Sequence, residues 1–130
     1  MANPDTPVVS IAGDSGFMFG EQELATAAQY KIGLITLIFN NNAYGNVRRD
    51  QINLFKGRTF GSKLKNLDFV KLAESFGAKA YRANSPAELK AYLEQALIDA
   101  EEGPVVIEIP CEQGSEASPF EFLLPTNYGR

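Results

Sequence analysis

Four short apolar runs punctuate the chain, and stretches of helical period separate them. Pro7 to Ala12 (PVVSIA) is β-branched and stops at a glycine, which reads as a buried strand. Leu34 to Phe39 (LITLIF) is wholly apolar and reads as a second strand. Ala78 to Arg82 and Val105 to Ile109 (VVIEI) are a third and a fourth, the last ended by Pro110. Between the first two, Glu21 to Tyr30 predicts a helix with Leu24, Ala27 and Ala28 on one face and acidic residues in its first turn. Asp68 predicts a helix start and Gly77 its closing C′ glycine. Ser85-Pro86 predicts a longer helix, with serine as N-cap and proline at the first position. Its apolar stripe is Leu89, Tyr92, Leu93, Ala96, Leu97 and Ala100. A short helix is expected near Val47 to Leu54, and Lys56 to Lys65 reads as a surface loop.

A strand, a helix and a second apolar strand in so few residues make a right-handed parallel βαβ unit. The whole order predicts an α/β fold: an open, mostly parallel sheet with helices on both faces. The 130 residues suffice for one domain, 1–130, with 111–130 as a C-terminal tail. There is no internal repeat and no low-complexity segment.

Composition removes several kinds of function. Net charge is -4, and the local basic pair Arg48-Arg49 is offset by Asp50, so there is no footprint for nucleic acid or an anionic membrane. The chain has no histidine, which excludes Ser-His-Asp and Cys-His catalysis and His-ligated zinc within it. Cys111 is the one cysteine, so no internal disulfide can form, and a reduced, cytoplasmic home is expected. No apolar stretch reaches the roughly 20 residues of a membrane helix, and the polar start is no signal peptide.

In open parallel sheets, ligands bind beyond the carboxyl ends of the strands. Two loops with suitable chemistry are expected there: Gly13-Asp14-Ser15-Gly16 and Asn40 to Gly45. Asp14 offers a carboxylate, Asn41 a side-chain carbonyl, and the turn after it backbone carbonyls. These are hard oxygen donors of the kind magnesium takes, completing its octahedron with water and phosphate oxygens. Glycines beside Asp14 let backbone N–H groups approach a phosphate. Together the loops suggest a magnesium-bridged diphosphate site.

The string GDSGFMFGEQELATAAQYKIGLITLIFNNNAYG resembles the thiamine diphosphate motif of the acetolactate synthase, benzoylformate decarboxylase and pyruvate oxidase superfamily. Gly13-Asp14 and Asn40-Asn41 fall at that family's separation, and Tyr44-Gly45 and Glu23-Leu24-Ala25-Thr26 also match. The likeness continues through NSPAEL and PVVIEIP, so it covers nearly the whole chain. It implies the C-terminal, diphosphate-binding domain of such an enzyme. Asp14 and Asn41 would then bind magnesium through side chains and Ala43 through its carbonyl. Gly13, Ser15 and Gly16 would border the diphosphate, with Tyr44 and Gly45 beside it. Ser15 departs from the family's usual glycine, and a positive φ there would strain it. The resemblance also implies a strand-and-helix segment before Ala2, so the fold is expected to be N-terminally truncated. The activating glutamate would come from a pyrimidine-binding domain of a neighbouring chain. The chain itself is therefore expected to hold no catalytic group and to be inactive alone.

Plainer readings compete for several residues. A βα turn with a capping aspartate would explain Asp14 alone, and a solvated turn would explain Asn40 to Asn42 alone. Arg48 and Arg49 read as surface or interface residues, Glu21 and Glu23 as first-turn helix residues, and Cys111 as a buried or tail cysteine. Phe17, Met18, Phe19, Tyr44, Phe120 and Phe122 are expected on a surface that meets a partner, a pyrimidine-binding domain or a second copy of the chain. A nicotinamide-binding fold would need G-x-G-x-x-G after the first strand, and the loop reads G-x-x-G-x-x-x-G. A phospho-receiver would need further acidic residues clustered at the strand end and a lysine after a later strand; no acidic pair precedes Asp14, and Pro110 and Cys111 follow the last strand. A non-catalytic assembly module, or a truncated gene product keeping the fold, is the remaining alternative.

Overall fold

The computed structural model of the chain describes residues 6–115. Strands β1 (Val8–Gly13), β2 (Leu34–Asn40), β3 (Lys79–Arg82) and β4 (Val105–Pro110) form one parallel sheet in the order β1-β2-β4-β3. Helices α1 (Asp14–Phe17) and α2 (Glu23–Gln29) join β1 to β2. Helices α3 (Gly45–Leu54) and α4 (Phe69–Ser75) join β2 to β3, and α5 (Pro86–Asp99) joins β3 to β4.

The strand order decides which face each helix covers. The crossovers from β1 to β2 and from β2 to β3 move across the sheet in one direction. The crossover from β3 to β4 moves back. Right-handed connections therefore send α2 and α4 to one face and α5 to the other. The core divides accordingly. Ile38 and Val106 pack with Leu24, Phe69 and Ala73 on the first face. Ile35, Leu37, Val105 and Ile107 pack with Ala96, Leu89, Tyr92 and Leu93 on the second. Phe69 is fully buried and meets Phe17 edge-on, ring centroids 5.7 Å apart. Burying such a ring contributes about 1.5–3 kcal/mol.

The expected helix signals act as read. The Asp68 side chain caps α4 by accepting from the Lys71 N–H, and Ser85 caps α5 by accepting from Glu88 N–H. Gly77 leaves α4 with φ +86°, a conformation that favours glycine. Gly33 is needed for another reason: a Cβ there would lie 2.5 Å from the Ala100 carbonyl oxygen. Among the described residues, no helix is long and apolar enough to cross a membrane.

Some expectations are corrected. β1 was expected to be buried; it is an edge strand with β2 as its one described neighbour. Val8, Val9 and Ile11 are 53%, 47% and 71% exposed. Its apolar sequence signals a strand but not how many neighbours it has, and the edge position leaves one edge and much of both faces uncovered among the described residues. Gly13 to Gly20 is not wholly loop, because Asp14–Phe17 forms a helical turn. Leu97 leaves the α5 stripe for solvent, and Asp99 is buried in its place. Phe17 and Met18, read as core or interface residues, are half-buried and pack against the first core. Phe19 and Tyr44 are exposed as expected, whereas Phe120 and Phe122 lie outside the described residues.

Candidate functional site

Strand parity builds the site. Register pairs Ile38 with Glu108 and Arg82 with Glu108, so these three side chains share the α2/α4 face. Asn40, two residues beyond Ile38, belongs to the same face. Polar residues thus replace the apolar core at the carboxyl ends of the strands. Asp14 follows β1 there, and α4 starts there from its cap Asp68.

These groups form a chain of hydrogen bonds that runs from the buried Asp14, Asn40 and Glu108 out to the surface at Arg82 and Asp68. Asn66 Nδ2 donates to Asp14 Oδ2 at 2.6 Å and to Asn40 Oδ1 at 2.8 Å. Asn40 Nδ2 donates to Glu108 Oε1 at 2.7 Å. Glu108 Oε2 accepts from Arg82 Nε at 2.8 Å, and Arg82 Nη2 donates to Asp68 Oδ1 at 2.7 Å. Asp68 stands two residues after Asn66, so the chain closes into a ring through the segment 66–68. Asp14, Asn40 and Glu108 are all buried, and buried polar groups of this kind persist when each has a partner. The Lys71 backbone N–H holds the Asp68 carboxyl below its ordinary range, with Arg82 adding to it. Glu108, and then Asp68, hold the Arg82 guanidinium above its ordinary value.

The second loop is locked by local bonds. Asn41 Oδ1 accepts from the Ala43 N–H at 3.0 Å, and Asn40 Oδ1 from the Asn42 N–H at 3.2 Å. Both are Asx-type turns, and Asn42 takes the left-handed φ of 56° that asparagine tolerates. Ala43 then forms an antiparallel bridge with Lys63. Its flanking bonds run from Tyr44 N–H to Ser62 O and from Leu64 N–H to Asn42 O. That pattern makes Ala43 a non-hydrogen-bonded pair member, so the bridge does not use its carbonyl. Gln51 on α3 holds the other side of the loop, accepting from Ser62 Oγ at 2.7 Å and from the Phe60 N–H.

The residues singled out from sequence meet as follows. Gly13, Asp14, Ser15 and Gly16 lie at the end of β1, and Asn41, Ala43, Tyr44 and Gly45 at the end of the adjacent β2. One nitrogen, Asn66 Nδ2, reaches both Asp14 and Asn40, the neighbour of Asn41. Ser15, Met18 and Phe19 face Tyr44, Leu64 and Asn66 across an open cleft of about 270 Å³. Ser15 is not strained: it sits in α1, without a positive φ, and donates its N–H to Asp14 Oδ1 at 2.8 Å. The condition under which serine would be strained, a positive φ, is therefore not met. Gly16 and Gly13 owe nothing to positive φ either. A Cβ on either would meet nothing within 4 Å, so space stands open beside this backbone.

The donor set suits a divalent cation with oxygen preference. Each Asp14 oxygen has one described hydrogen bond and a second lone pair for a metal. Among the described residues, no cluster of three His, Cys, Asp or Glu side chains could hold a metal. A metal here would depend on one carboxylate, amide and backbone carbonyls, and oxygens from its ligand, which is the manner of magnesium.

Asn66, Glu108 and Arg82 were missed from sequence. Glu108 had a signal, being the lone charge inside VVIEI. Asn66 had none, because it lies in an aperiodic loop.

Residues 1–109 match the family profile described as "Thiamine pyrophosphate enzyme, C-terminal TPP binding domain". The chain is 35% identical over 129 residues to acetolactate synthase of Bacillus subtilis, covering 99% of this chain and 22% of that protein. It is 41% identical over 102 residues to 3D-(3,5/4)-trihydroxycyclohexane-1,2-dione hydrolase of the same organism, covering 74% of this chain and 16% of that one. Its fold is similar to that of the thiamine diphosphate-dependent 4-hydroxybenzoylformate decarboxylase of Rhodococcus jostii RHA1. The TM-score is 0.79 at 32% identity, over 88% of this chain and 21% of that chain. The chain thus spans about a fifth or less of each relative's length.

Proposed function

The chain belongs to the thiamine pyrophosphate enzymes, as their C-terminal cofactor-binding domain, and we propose that it grips the cofactor's diphosphate through a magnesium ion. In this reading the Asp14 and Asn41 side chains and the Ala43 carbonyl hold the ion. Gly13, Ser15 and Gly16 border the diphosphate from one loop, Tyr44 and Gly45 from the other. What supports it above all is that one half-buried amide, Asn66, ties Asp14 to Asn40 and so draws the two loops to one spot.

Each group has a defined task. Asp14 supplies the negative charge of the metal shell, and its burial removes competing water. The Asn66 amide orients that carboxylate, as outer-shell partners do for metal ligands. The Asn41 turn holds Ala43 so that its carbonyl lies outside the bridge to Lys63. The open space at Gly13 and Gly16 lets phosphate oxygens approach backbone N–H groups. When bound, the cofactor supplies the carbanion chemistry by which such enzymes act on 2-keto acids. This chain's residues anchor and orient; none of them stands in for the activating glutamate of the resemblance. The whole protein is proposed to be an acetolactate-synthase-like carboligase or a 2-keto-acid decarboxylase in the cytoplasm, working with a pyrimidine-binding domain or as an oligomer.

Calorimetry tests the binding half. Inorganic diphosphate and thiamine diphosphate should bind weakly, and only with magnesium. Asp14→Ala should abolish the binding. Metal-independent binding, untouched by Asp14→Ala, would overturn the site. A pyruvate turnover assay on the purified chain tests the other half: turnover should be absent, and robust turnover would refute the claim that a partner is needed. A fold kept only for assembly would bind neither ligand.

A further inference from the structure

A second cleft, of about 270 Å³, opens along α3 and is lined by Ala43, Gly45, Arg48, Arg49, Ile52 and Gln113 among others. Gly45, Arg48, Arg49 and Ile52 are spaced i, i+3, i+4 and i+7, so one face of α3 forms its wall. Two guanidiniums therefore converge on one cavity in a chain whose net charge is -4. Their charge is poorly answered. Arg49 Nη1 is buried with no hydrogen-bond partner among the described residues. Among the described residues the other terminal nitrogen reaches only exposed Asp50, at 3.4 Å. The Arg48 side chain has no ion pair among the described residues. A buried cationic N–H without a partner is unfavourable, and an anion in the cleft would relieve it.

We propose that this cleft is a binding site for a small organic carboxylate. The planar guanidinium fork matches the two oxygens of a carboxylate. The first-turn amides of α3, a ten-residue helix beginning at Gly45, add a positive end. Ile52 and Ala43 give an apolar wall for the carbon part of the ligand. The site shares Ala43 and Gly45 with the proposed diphosphate loop but depends on different charged residues, so it stands whether or not that loop binds magnesium.

The test is a titration of the 130-residue chain with propionate, in magnesium-free buffer without other oxyanions, followed by NMR at the Gly45 amide and the Arg49 Nε–H. Saturable shifts with a millimolar dissociation constant are expected. Arg48→Gln and Arg49→Gln should each weaken binding about tenfold, and Arg49→Lys should weaken it although charge is kept. Should Arg49→Gln fail to fold, Arg48→Gln and Arg49→Lys decide the matter. Asp14→Ala should leave propionate binding intact while removing magnesium-dependent diphosphate binding, which separates the two sites. Arg58→Gln should change nothing. No saturation, an equal loss in Arg58→Gln, or phosphate binding that propionate cannot displace would each overturn the carboxylate assignment.

Discussion

Asn66 stands 52 residues after Asp14 in the chain, yet its side-chain nitrogen lies 2.6 Å from Asp14 Oδ2. The same nitrogen lies 2.8 Å from Asn40 Oδ1. The ends of β1 and β2 are thus joined by a third segment, the run-up to α4. A carboxylate held this way has lost its rotational freedom before any ligand arrives, which is what preorganisation of a metal ligand requires.

Removing that amide should loosen the Asp14 carboxylate without removing it. Asn66→Ala is expected to weaken magnesium-dependent diphosphate binding about tenfold. Affinity measured by calorimetry on a variant of native circular dichroism checks this. Unchanged affinity would mean that Asn66 only packs the loop.

Ser15 provides a second check. It donates its N–H to Asp14 Oδ1 from within a helical turn, and its φ is negative. Ser15→Gly therefore has no strain to relieve. It should leave stability unchanged or lower it by about 0.5–1 kcal/mol, the usual helical cost of glycine. A urea midpoint that rises in the variant would contradict the geometry.

Much of this architecture was legible in the sequence. The strands, the caps at Asp68 and Ser85, and Gly77 depend on local chemistry, and local chemistry is written in short strings. The loops at Asp14 and Asn41 were legible because two strand ends a helix apart must emerge on one sheet edge. Asn66, Arg82 and Glu108 were not legible as a set, because the β3–β4 register that pairs Arg82 with Glu108 and the long-range closure of loop 56–66 onto Asp14 and Asn40 are both tertiary. The exposure of β1 was equally hidden. An apolar run announces a strand but not how many neighbours it has, and sheet order is a tertiary property.

A separate cluster predicts the pH dependence of stability. Asp99 is buried at the end of α5 and accepts from Lys79 Nζ at 2.7 Å, from the Tyr81 hydroxyl and from Gln95. The bond from Lys79, then that from Tyr81, hold the Asp99 carboxyl below its ordinary 3.8. A depressed folded-state value stabilises the fold above the unfolded value, and that share is lost as pH falls through the folded value. Lys79 is raised above 10.5 and Tyr81 above 10.0, in each case chiefly by the bond to Asp99. Their share is present below those values and fades as pH rises through the raised ones. Asp99→Ala should destabilise by about 1–3 kcal/mol at neutral pH, leaving the Tyr81 hydroxyl without its acceptor and Lys79 with exposed Glu102 alone. The gap from the parent should shrink as pH falls below the ordinary 3.8, where the parent loses its own advantage. Urea melts at the two pH values check it; a constant gap would refute the ionic origin.

The last prediction concerns association, and β1 carries it. Among the described residues this strand has β2 as its only neighbour, so one row of its N–H and C=O groups has no ladder partner. Register puts Val9 beside Ile35 and Ile11 beside Leu37, on the α5 face. Phe39 continues that face and is itself 41% exposed. Val9, Ile11 and Phe39 thus make an apolar strip beside an open edge, a combination that invites another strand. Exposed Phe19 and Tyr44 border the neighbouring cleft. Sedimentation at high micromolar concentration should therefore show a dimer or larger species. Ile11→Lys should shift it towards monomer, because a lysine on an edge strand opposes edge pairing. If the parent chain is a clean monomer, or if Ile11→Lys leaves the association unchanged, the edge is not the contact. Association lost in Phe19→Ser but kept in Ile11→Lys would move the interface to the cleft between Ser15 and Tyr44, where in the proposed reading a partner domain completes the site.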